Sequence, residues 1–242
     1  SNSQDNELHS LLGLEIVRQK AGLFVTQRQY IKNTLEKFGM MTCNPVSTPE
    51  QVGQVDYANS PKLSESFPFK ELVGCLLYIV TCTRPDIAHA VSMASRTSEP
   101  TEAHWASLKR ILRYLKGTSE LGLIYRRQLN PKLVGYSDAD YANDKATRRS
   151  TTGFVILWGN NVITWKCQRQ LIVTLSTTEA EYVAGTDLVK KLIPLKGMMT
   201  ELRLVKDEPV QVFIDNKSTV NIVKNEEAQD RTKHIDVRHK WL

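Results

Sequence analysis

The chain has 242 residues, 41% of them hydrophobic, and this length and composition fit one or two globular domains rather than a disordered chain. No apolar run approaches the roughly 18 residues of a membrane span, and the polar first residues lack the apolar core of a signal peptide, so we expect a soluble, intracellular protein. The net charge of +6 suits a polyanionic partner, but charge alone does not identify that partner as nucleic acid.

The first segment predicts a β-hairpin followed by a helix. Leu12–Val17 and Leu23–Val25 have the composition of strands, and a turn sequence separates them. Thr26 is predicted to cap the helix with Gln29 as its capping-box partner, and Gly39 is predicted to end it. This segment contains no catalytic group, so we expect it to serve packing.

The next stretch predicts an extended connector followed by packing helices. Met41–Phe69 contains four prolines among Ser, Thr, Asn and Gly, which favours an irregular surface segment. Lys70–Cys82 then predicts an apolar helix. Arg84–Asp86 marks a new helix start, and Ile87–Ser95 continues it.

A further helix is predicted to open at Pro100 and Thr101 and to end at Gly117. Its apolar stripe consists of Trp105, Leu108, Ile111, Leu112 and Leu115. Its opposite side carries four basic residues: Lys109, Arg110, Arg113 and Lys116. This basic stripe has two interpretations, an ordinary solvated face or a surface that follows the phosphates of a nucleic acid.

After Leu121 the hydrophobic period changes from helical to extended. Four strands are predicted: Leu133–Asp138, Thr152–Leu157, Val162–Trp165 and Val210–Ile214. The second and third are joined by a turn at Gly159-Asn160-Asn161. Helices are predicted from about Thr178, after Asn216, and from Arg231 to the end. The order of these elements predicts an α/β fold, with a mixed sheet and helices on its faces.

The four cysteines predict neither a zinc site nor a disulfide framework. Cys43, Cys75, Cys82 and Cys167 are scattered along the chain, with no CxxC pair and no histidine at zinc-ligand spacing. We therefore expect free, buried thiols.

Three acidic residues lie where a catalytic site could form. Asp138 and Asp215 end the first and fourth predicted strands, and Glu181 lies in the first turn of the central helix. If those strands are neighbours, the three carboxylates gather and repel one another, and Mg²⁺ would relieve the repulsion. Two ions about 4 Å apart could then hydrolyse a phosphodiester. Structural alternatives stay open, because Asp138 and Asp140 could simply end a strand, and Asp215 with Asn216 could start a helix. Thr178 to Glu181 is itself a capping box.

The C-terminal half contains five motifs in succession: Tyr136–Ala142, Arg148–Gly153, Ser176–Tyr182, Asp215–Ser218 and Arg231–Asp236. Together they closely resemble the ribonuclease H motifs of copia-type retrotransposons. Four upstream segments look like the end of the reverse transcriptase and the connection that follows it: Leu12–Ile16, Leu72–Tyr78, Thr83–Ile87 and Arg113–Thr118. The resemblance to this Pol polyprotein family covers nearly the whole chain.

The resemblance implies a fold and an activity. It implies a ribonuclease H-like mixed sheet with flanking helices over residues 131–242, after a hairpin-helix unit at 1–45 and a linker with a mainly helical connection at 46–130. Asp138, Glu181 and Asp215 match the first three catalytic carboxylates, which hold Mg²⁺, or Mn²⁺ as the alternative, and cut the RNA strand of RNA–DNA hybrids. The motif alignment favours Glu181 over Glu179 and Asp138 over Asp140.

The resemblance also implies partners and a location. The partners are the RNA–DNA hybrid and the remainder of the Pol polyprotein, with no membrane, in the cytoplasm inside a virus-like particle or in the nucleus. The predicted nucleic-acid-binding residues are Lys109, Arg110, Arg113, Lys116, Arg148, Arg149, Lys233, His234 and Arg238.

The chain departs from the family pattern in three ways. A fourth carboxylate is expected to be missing, because the sequence stops before the strand and helix that would supply it, and Asp236 is expected to be structural. Pro194 is predicted to break or kink the central helix. The sequence has no Asp-Asp pair, so a polymerising site is not expected. The alternative function is therefore a catalytically impaired or co-opted module that binds nucleic acid or a protein, and a purely structural connection is a third.

Overall fold

The computed structural model describes residues 10–20, 22–51, 53, 55–144 and 147–224. The chain divides into two compact units, the first ending at Arg127 and the second beginning at Gln128. Within the described residues the fold is mixed α/β, with two four-stranded sheets and six α-helices. In the part of the chain that is described, no helix combines the length and the apolar composition needed to cross a membrane.

The sheet of the first unit is antiparallel throughout. Its strands are Ser10–Leu11 (β1), Leu14–Gln19 (β2), Gly22–Thr26 (β3) and Leu123–Tyr125 (β4). They lie in the order β1-β2-β3-β4, so the predicted hairpin is confirmed as the β2–β3 pair. β4 joins this sheet from almost a hundred residues further along the chain, where Phe24 pairs with Ile124.

Helices form the core of the first unit. They are Arg28–Lys37 (α1), Phe69–Cys82 (α2), Ala88–Ala94 (α3) and Glu102–Gly117 (α4), and a 3₁₀ turn at Pro85–Ile87 precedes α3. The apolar stripe of α4 is confirmed as a buried face, because Leu108, Ile111, Leu112 and Leu115 are at most 1% exposed. They pack with buried residues of α1 to α3, including Ile31, Leu72 and Val91.

The predicted cap of α1 is wrong. The Thr26 hydroxyl donates a hydrogen bond to the Leu121 carbonyl at 3.4 Å instead of accepting one from the helix. The Gln29 backbone N–H instead donates to a carboxylate oxygen of Glu15 on β2, at 2.7 Å. A carboxylate is a stronger acceptor than a hydroxyl and is favoured at the positive end of a helix. The helix ends as predicted, because Gly39 has a positive φ of 65°.

The second unit is a mixed sheet with one long helix packed on it. Its elements are Leu133–Asp140 (β5), Thr151–Trp158 (β6), Asn161–Arg169 (β7), Thr177–Glu201 (α5), Gln211–Ile214 (β8) and Lys217–Lys224 (α6). The strand order is β7-β6-β5-β8, with β8 parallel to β5 and the other pairs antiparallel. β6 and β7 are joined by a tight turn in which Gly159 has a φ of +60°.

α5 lies against one face of this sheet. A Cβ at Gly135 would lie 3.0 Å from a methyl group of Leu188, so glycine allows α5 to approach β5 closely. The core between them consists of Leu133, Phe154, Ile156, Leu188, Leu192 and Met199. This packing therefore fixes the distance between β5 and α5, the helix that carries Glu181.

The expected break at Pro194 does not occur, because α5 continues through it to Glu201. Proline removes the N–H that would bond to the Lys190 carbonyl, but Lys190 is exposed and water can satisfy that carbonyl. Leu192 and Met199 lie on either side of the proline and are buried in the same core. Packing on both sides therefore outweighs the missing hydrogen bond.

All four cysteines are free, as expected, but they are partly rather than fully buried. The predicted basic helix from Arg231 lies outside the described residues, and so do Lys233, His234, Asp236 and Arg238.

Candidate active site

Two of the predicted carboxylates lie side by side toward the C-terminal ends of two neighbouring strands in the second sheet. β5 and β8 are parallel neighbours, and Ser137 is paired with Ile214. The next residues, Asp138 and Asp215, therefore lie at the same level of the sheet, since Asp138 is the sixth residue of β5 and Asp215 directly follows β8. The sequence predicted this juxtaposition on the condition that the two strands are neighbours, and the pairing meets that condition.

Glu181 on α5 is the third member of the cluster. Its side chain is only 7% exposed. Burial, followed by the negative charge of Asp138, raises the pKa of Glu181 to about 7, and Asp215 adds to the effect. A hydrogen bond from the Ala139 backbone acts in the opposite direction, since it stabilises the charged form. The structure thus brings Asp138, Glu181 and Asp215 into electrostatic contact.

The start of α5 explains why Glu181 is free for this cluster. Ser176 caps the helix by accepting a hydrogen bond from the Glu179 N–H at 3.1 Å. The Glu179 carboxylate accepts one from the Leu175 N–H at 2.7 Å. The alternative capping box at Thr178 to Glu181 is therefore not formed, since the residue that caps α5 is Ser176, two residues earlier. Glu179 stabilises the helix end, whereas Glu181 lies beside the aspartates.

The donor atoms at this edge are carboxylate oxygens, which Mg²⁺ and Mn²⁺ prefer. One of them, Oε2 of Glu181, is buried and has no hydrogen-bond partner within the described part of the chain. However, no three His, Cys, Asp or Glu side chains among the described residues are arranged closely enough to hold a metal ion. Asp138 Oδ1 accepts the N–H of its neighbour Ala139 at 2.9 Å. Metal binding would therefore require the three carboxylates to come closer together than they lie in this structure.

Sequence comparison identifies the family. The chain is 41% identical to the retrovirus-related Pol polyprotein from transposon TNT 1-94 of Nicotiana tabacum, across 96% of its own length. It is 35% identical to the retrovirus-related Pol polyprotein from transposon RE1 of Arabidopsis thaliana, across 98% of its length. An uncharacterised mitochondrial protein of Arabidopsis thaliana is 40% identical, and the chain covers 74% of that relative. The chain belongs to the copia-type retrotransposon Pol polyprotein family.

This Pol-family chain corresponds to a small part of those polyproteins. It spans 18% of the TNT 1-94 polyprotein and 16% of the RE1 polyprotein. No protein-family model and no solved structure matches it. Because the chain matches only a small part of these polyproteins, the relatives identify its family but not its activity.

The basic stripe of α4 in this Pol-family chain contacts the connector that precedes α2. Arg113 donates to the Asn44 carbonyl at 2.7 Å, and Lys116 donates to the Cys43 carbonyl at 2.6 Å. Arg110 donates to the Thr48 hydroxyl at 2.9 Å. These side chains therefore hold the connector in place, an interaction that neither interpretation of the stripe anticipated.

Arg148 and Arg149 lie in the second unit, in the loop between β5 and β6. This loop begins directly after Asp140, at the same end of β5 as Asp138. The Arg148 N–H donates to the Asp144 carbonyl at 2.7 Å, and Arg148 has a φ of +56°. The structure thus brings these two predicted nucleic-acid-binding residues to the carboxylate end of the sheet.

Sequence reasoning missed two buried polar residues beside the carboxylates, Gln170 and Thr219. Gln170 is 4% exposed and Thr219 is 0% exposed. Neither belongs to the motifs by which the site was predicted, and both lie in stretches that mix polar and apolar residues, so the sequence gives no sign of their burial. Their partners are more than nine residues away in sequence, so no local pattern reveals them.

Proposed function

We propose that this Pol-family chain is a metal-dependent ribonuclease H that cleaves the RNA strand of RNA–DNA hybrids during retrotransposon reverse transcription. The observation that carries the proposal is the approach of buried Glu181 to Asp138 and Asp215 at one sheet edge. Carboxylates that oppose one another's ionisation are a common feature of sites that bind cations. The sheet order, with three antiparallel strands and a fourth parallel to the first, suits the ribonuclease H-like fold that the motifs imply.

The three carboxylates fit a divalent cation by their chemistry. Asp138, Glu181 and Asp215 would hold the ion, and the unpartnered Oε2 of Glu181 offers a ready acceptor. When bound, Mg²⁺ or Mn²⁺ would activate a water molecule and stabilise the leaving oxygen of the phosphodiester. Because Glu181 is buried, competing water is kept away from its Oε2 atom.

Hybrid recognition would rest on backbone shape and charge. A nuclease that does not read sequence needs cations for the phosphates and donors for the 2′-hydroxyl groups. Arg148 and Arg149 lie at the carboxylate end of the sheet, where the cleaved strand would pass. The remainder of the Pol polyprotein would supply further contacts with the hybrid.

The test is cleavage of a labelled RNA–DNA hybrid with Mg²⁺ or Mn²⁺. We expect cleavage by the chain and its loss in Asp138→Asn and Asp215→Asn, with both variants unfolding at a midpoint close to that of the wild type. Asp140→Asn is the matched control, since Asp140 lies on the same strand two residues further on, and it should retain activity. Equal loss in Asp140→Asn would contradict the assignment of Asp138.

A second candidate is a module that binds hybrids without cutting them. It is favoured by the finding that no three described side chains are arranged to hold a metal ion. Hybrid binding that persists in EDTA, together with no cleavage under either metal, would replace the nuclease proposal with this one.

A further inference from the structure

Two buried side chains attach the beginning of α5 to the strands that carry the aspartates. The first is Gln170, which directly follows β7. Its Nε2 donates to the Ala180 carbonyl at 2.9 Å and to the Thr152 hydroxyl at 3.1 Å. Ala180 precedes Glu181 in α5, and Thr152 of β6 is paired with Ala139, the residue after Asp138. Gln170 therefore links the helical turn of Glu181 to the strand segment of Asp138.

The second side chain is Thr219 in α6. Its hydroxyl donates to the Thr178 carbonyl of α5 at 3.0 Å. Its backbone N–H donates to Oδ1 of Asn216 at 2.9 Å, and Asn216 directly follows Asp215. Thr219 therefore links the same helical turn to the end of β8.

We propose that Gln170 and Thr219 are positioning residues, which fix Glu181 between Asp138 and Asp215. The inference rests on the proposed nuclease function. The two bonds reach carbonyls two residues apart in α5, and they come from the two sides on which the aspartates lie. Loss of either bond lets the first turns of α5 shift, and a displacement of about 1 Å in a catalytic group can lower a rate by about a hundredfold.

The burial of Gln170 supports a positioning role over simple packing. Its Oε1 is buried without a hydrogen-bond partner in the described part of the chain. A buried polar atom without a partner opposes folding, so an apolar side chain of the same length would satisfy packing at least as well. The residue is therefore better explained by the direction of its Nε2 bonds than by its contribution to stability.

The experiment compares three variants of the full chain with a matched control. Gln170→Met keeps the side-chain length and removes the amide, and Thr219→Val keeps the shape and removes the hydroxyl. Thr219→Ser keeps the hydroxyl and should behave like the wild type. The control is Leu192→Ala, which weakens the core of α5 three turns beyond Glu181 and leaves both bonds intact.

Three quantities are measured: amide exchange of Glu181–Ala184 in EDTA, Mn²⁺ affinity by electron paramagnetic resonance, and kcat and KM for hybrid cleavage. For Gln170→Met and Thr219→Val we expect the amides of Glu181–Ala184 to exchange about tenfold faster than in the wild type. Mn²⁺ affinity and kcat should each fall about tenfold, with KM for the hybrid within about twofold of the wild-type value.

The proposal is overturned if exchange at these amides is unchanged, or if Leu192→Ala lowers Mn²⁺ affinity and kcat to the same extent. The exchange measurement needs neither metal nor hybrid. A wild-type chain that cleaves nothing would therefore contradict the proposed function, while exchange would still decide whether the two side chains fix the start of α5.

Discussion

Glu181 gives the folded chain a pH-dependent stability. Its pKa is about 7 in the folded state, against an ordinary value of 4.5. Between these two pH values the folded state binds the proton more tightly than the unfolded state does. The contribution of this group to the free energy of unfolding is therefore fully present below about pH 4.5 and is lost as the pH rises through about 7.

The variant Glu181→Gln removes this ionisation. We expect its free energy of unfolding in EDTA to exceed that of the wild type by about 2 kcal/mol at about pH 8, and by less than about 1 kcal/mol at about pH 5. Urea denaturation at both pH values measures the difference. Glu179→Gln is the control, because its amide oxygen can still accept the Leu175 N–H and we expect no gain in stability at either pH. An equal gain at both pH values would show that the charge of Glu181 is not opposed by the fold.

At the residue scale, the sequence was enough to predict the three carboxylates but not the buried residues that hydrogen-bond to the helix carrying Glu181. Asp138, Glu181 and Asp215 follow from strand ends, a helix start and the family motifs, which are all local signals. Thr219 could not be selected in this way, because its partner Thr178 lies 41 residues away in sequence. Similarly, no pattern indicated that Glu15 would replace Thr26 at the start of α1. A side chain's type is visible in the sequence, whereas the distant backbone group that it meets is not.

At the element scale, hydrogen bonds attach the first part of the connector to α4. Cys43 and Asn44 in the connector offer carbonyl oxygens to Lys116 and Arg113. An added Cβ at Gly117, the last residue of α4, would lie 3.0 Å from the Cβ of Pro45, so the connector runs directly against the helix end. Among its described residues, which exclude 52 and 54, the connector contains no strand or helix. The charged donors therefore hold the first part of the connector, whereas its later part is attached through the Leu63 N–H, which donates to the Pro100 carbonyl at 2.9 Å.

The double variant Arg113→Met, Lys116→Met should release this part of the connector. We expect a nonspecific protease to cut near Val46 about fivefold faster, since two hydrogen bonds to charged donors are lost. Mass spectrometry of the fragments gives the rate. Lys109→Met is the control, because Lys109 is exposed on the same helix and should leave the rate unchanged. If all three residues instead act on phosphates alone, neither variant will alter proteolysis, and both will weaken hybrid binding in a salt-dependent manner.

The types of the longer elements were predictable, and their ends and the short strands were not. The third strand of the second unit was predicted at Val162–Trp165 but extends to Arg169, because its later polar residues hide the alternation. β1 and β4 are too short to show any period. The helix break predicted at Pro194 does not occur, because proline is a local signal, whereas the burial of Leu192 and Met199 depends on packing against the whole sheet.

At the scale of the whole molecule, each unit has its own apolar core. In the first, Leu72, Leu76 and Ile79 of α2 are fully buried among the other helices. In the second, Leu188 and Leu192 of α5 pack on the sheet. The change from helical to extended periodicity after Leu121 lies close to the boundary between the two units, whereas the regions predicted as 1–45 and 46–130 both belong to the first unit as far as Arg127.

Separate cores predict separate unfolding. We expect two transitions in differential scanning calorimetry. Leu76→Ala should lower one transition temperature by about 10 °C and leave the other within about 2 °C, since a buried leucine truncated to alanine costs about 3 kcal/mol. Leu192→Ala should do the reverse, which makes the two variants controls for each other. A single transition that both variants shift equally would mean that the chain unfolds as one cooperative body, and loss of either core would then remove the carboxylate site as well.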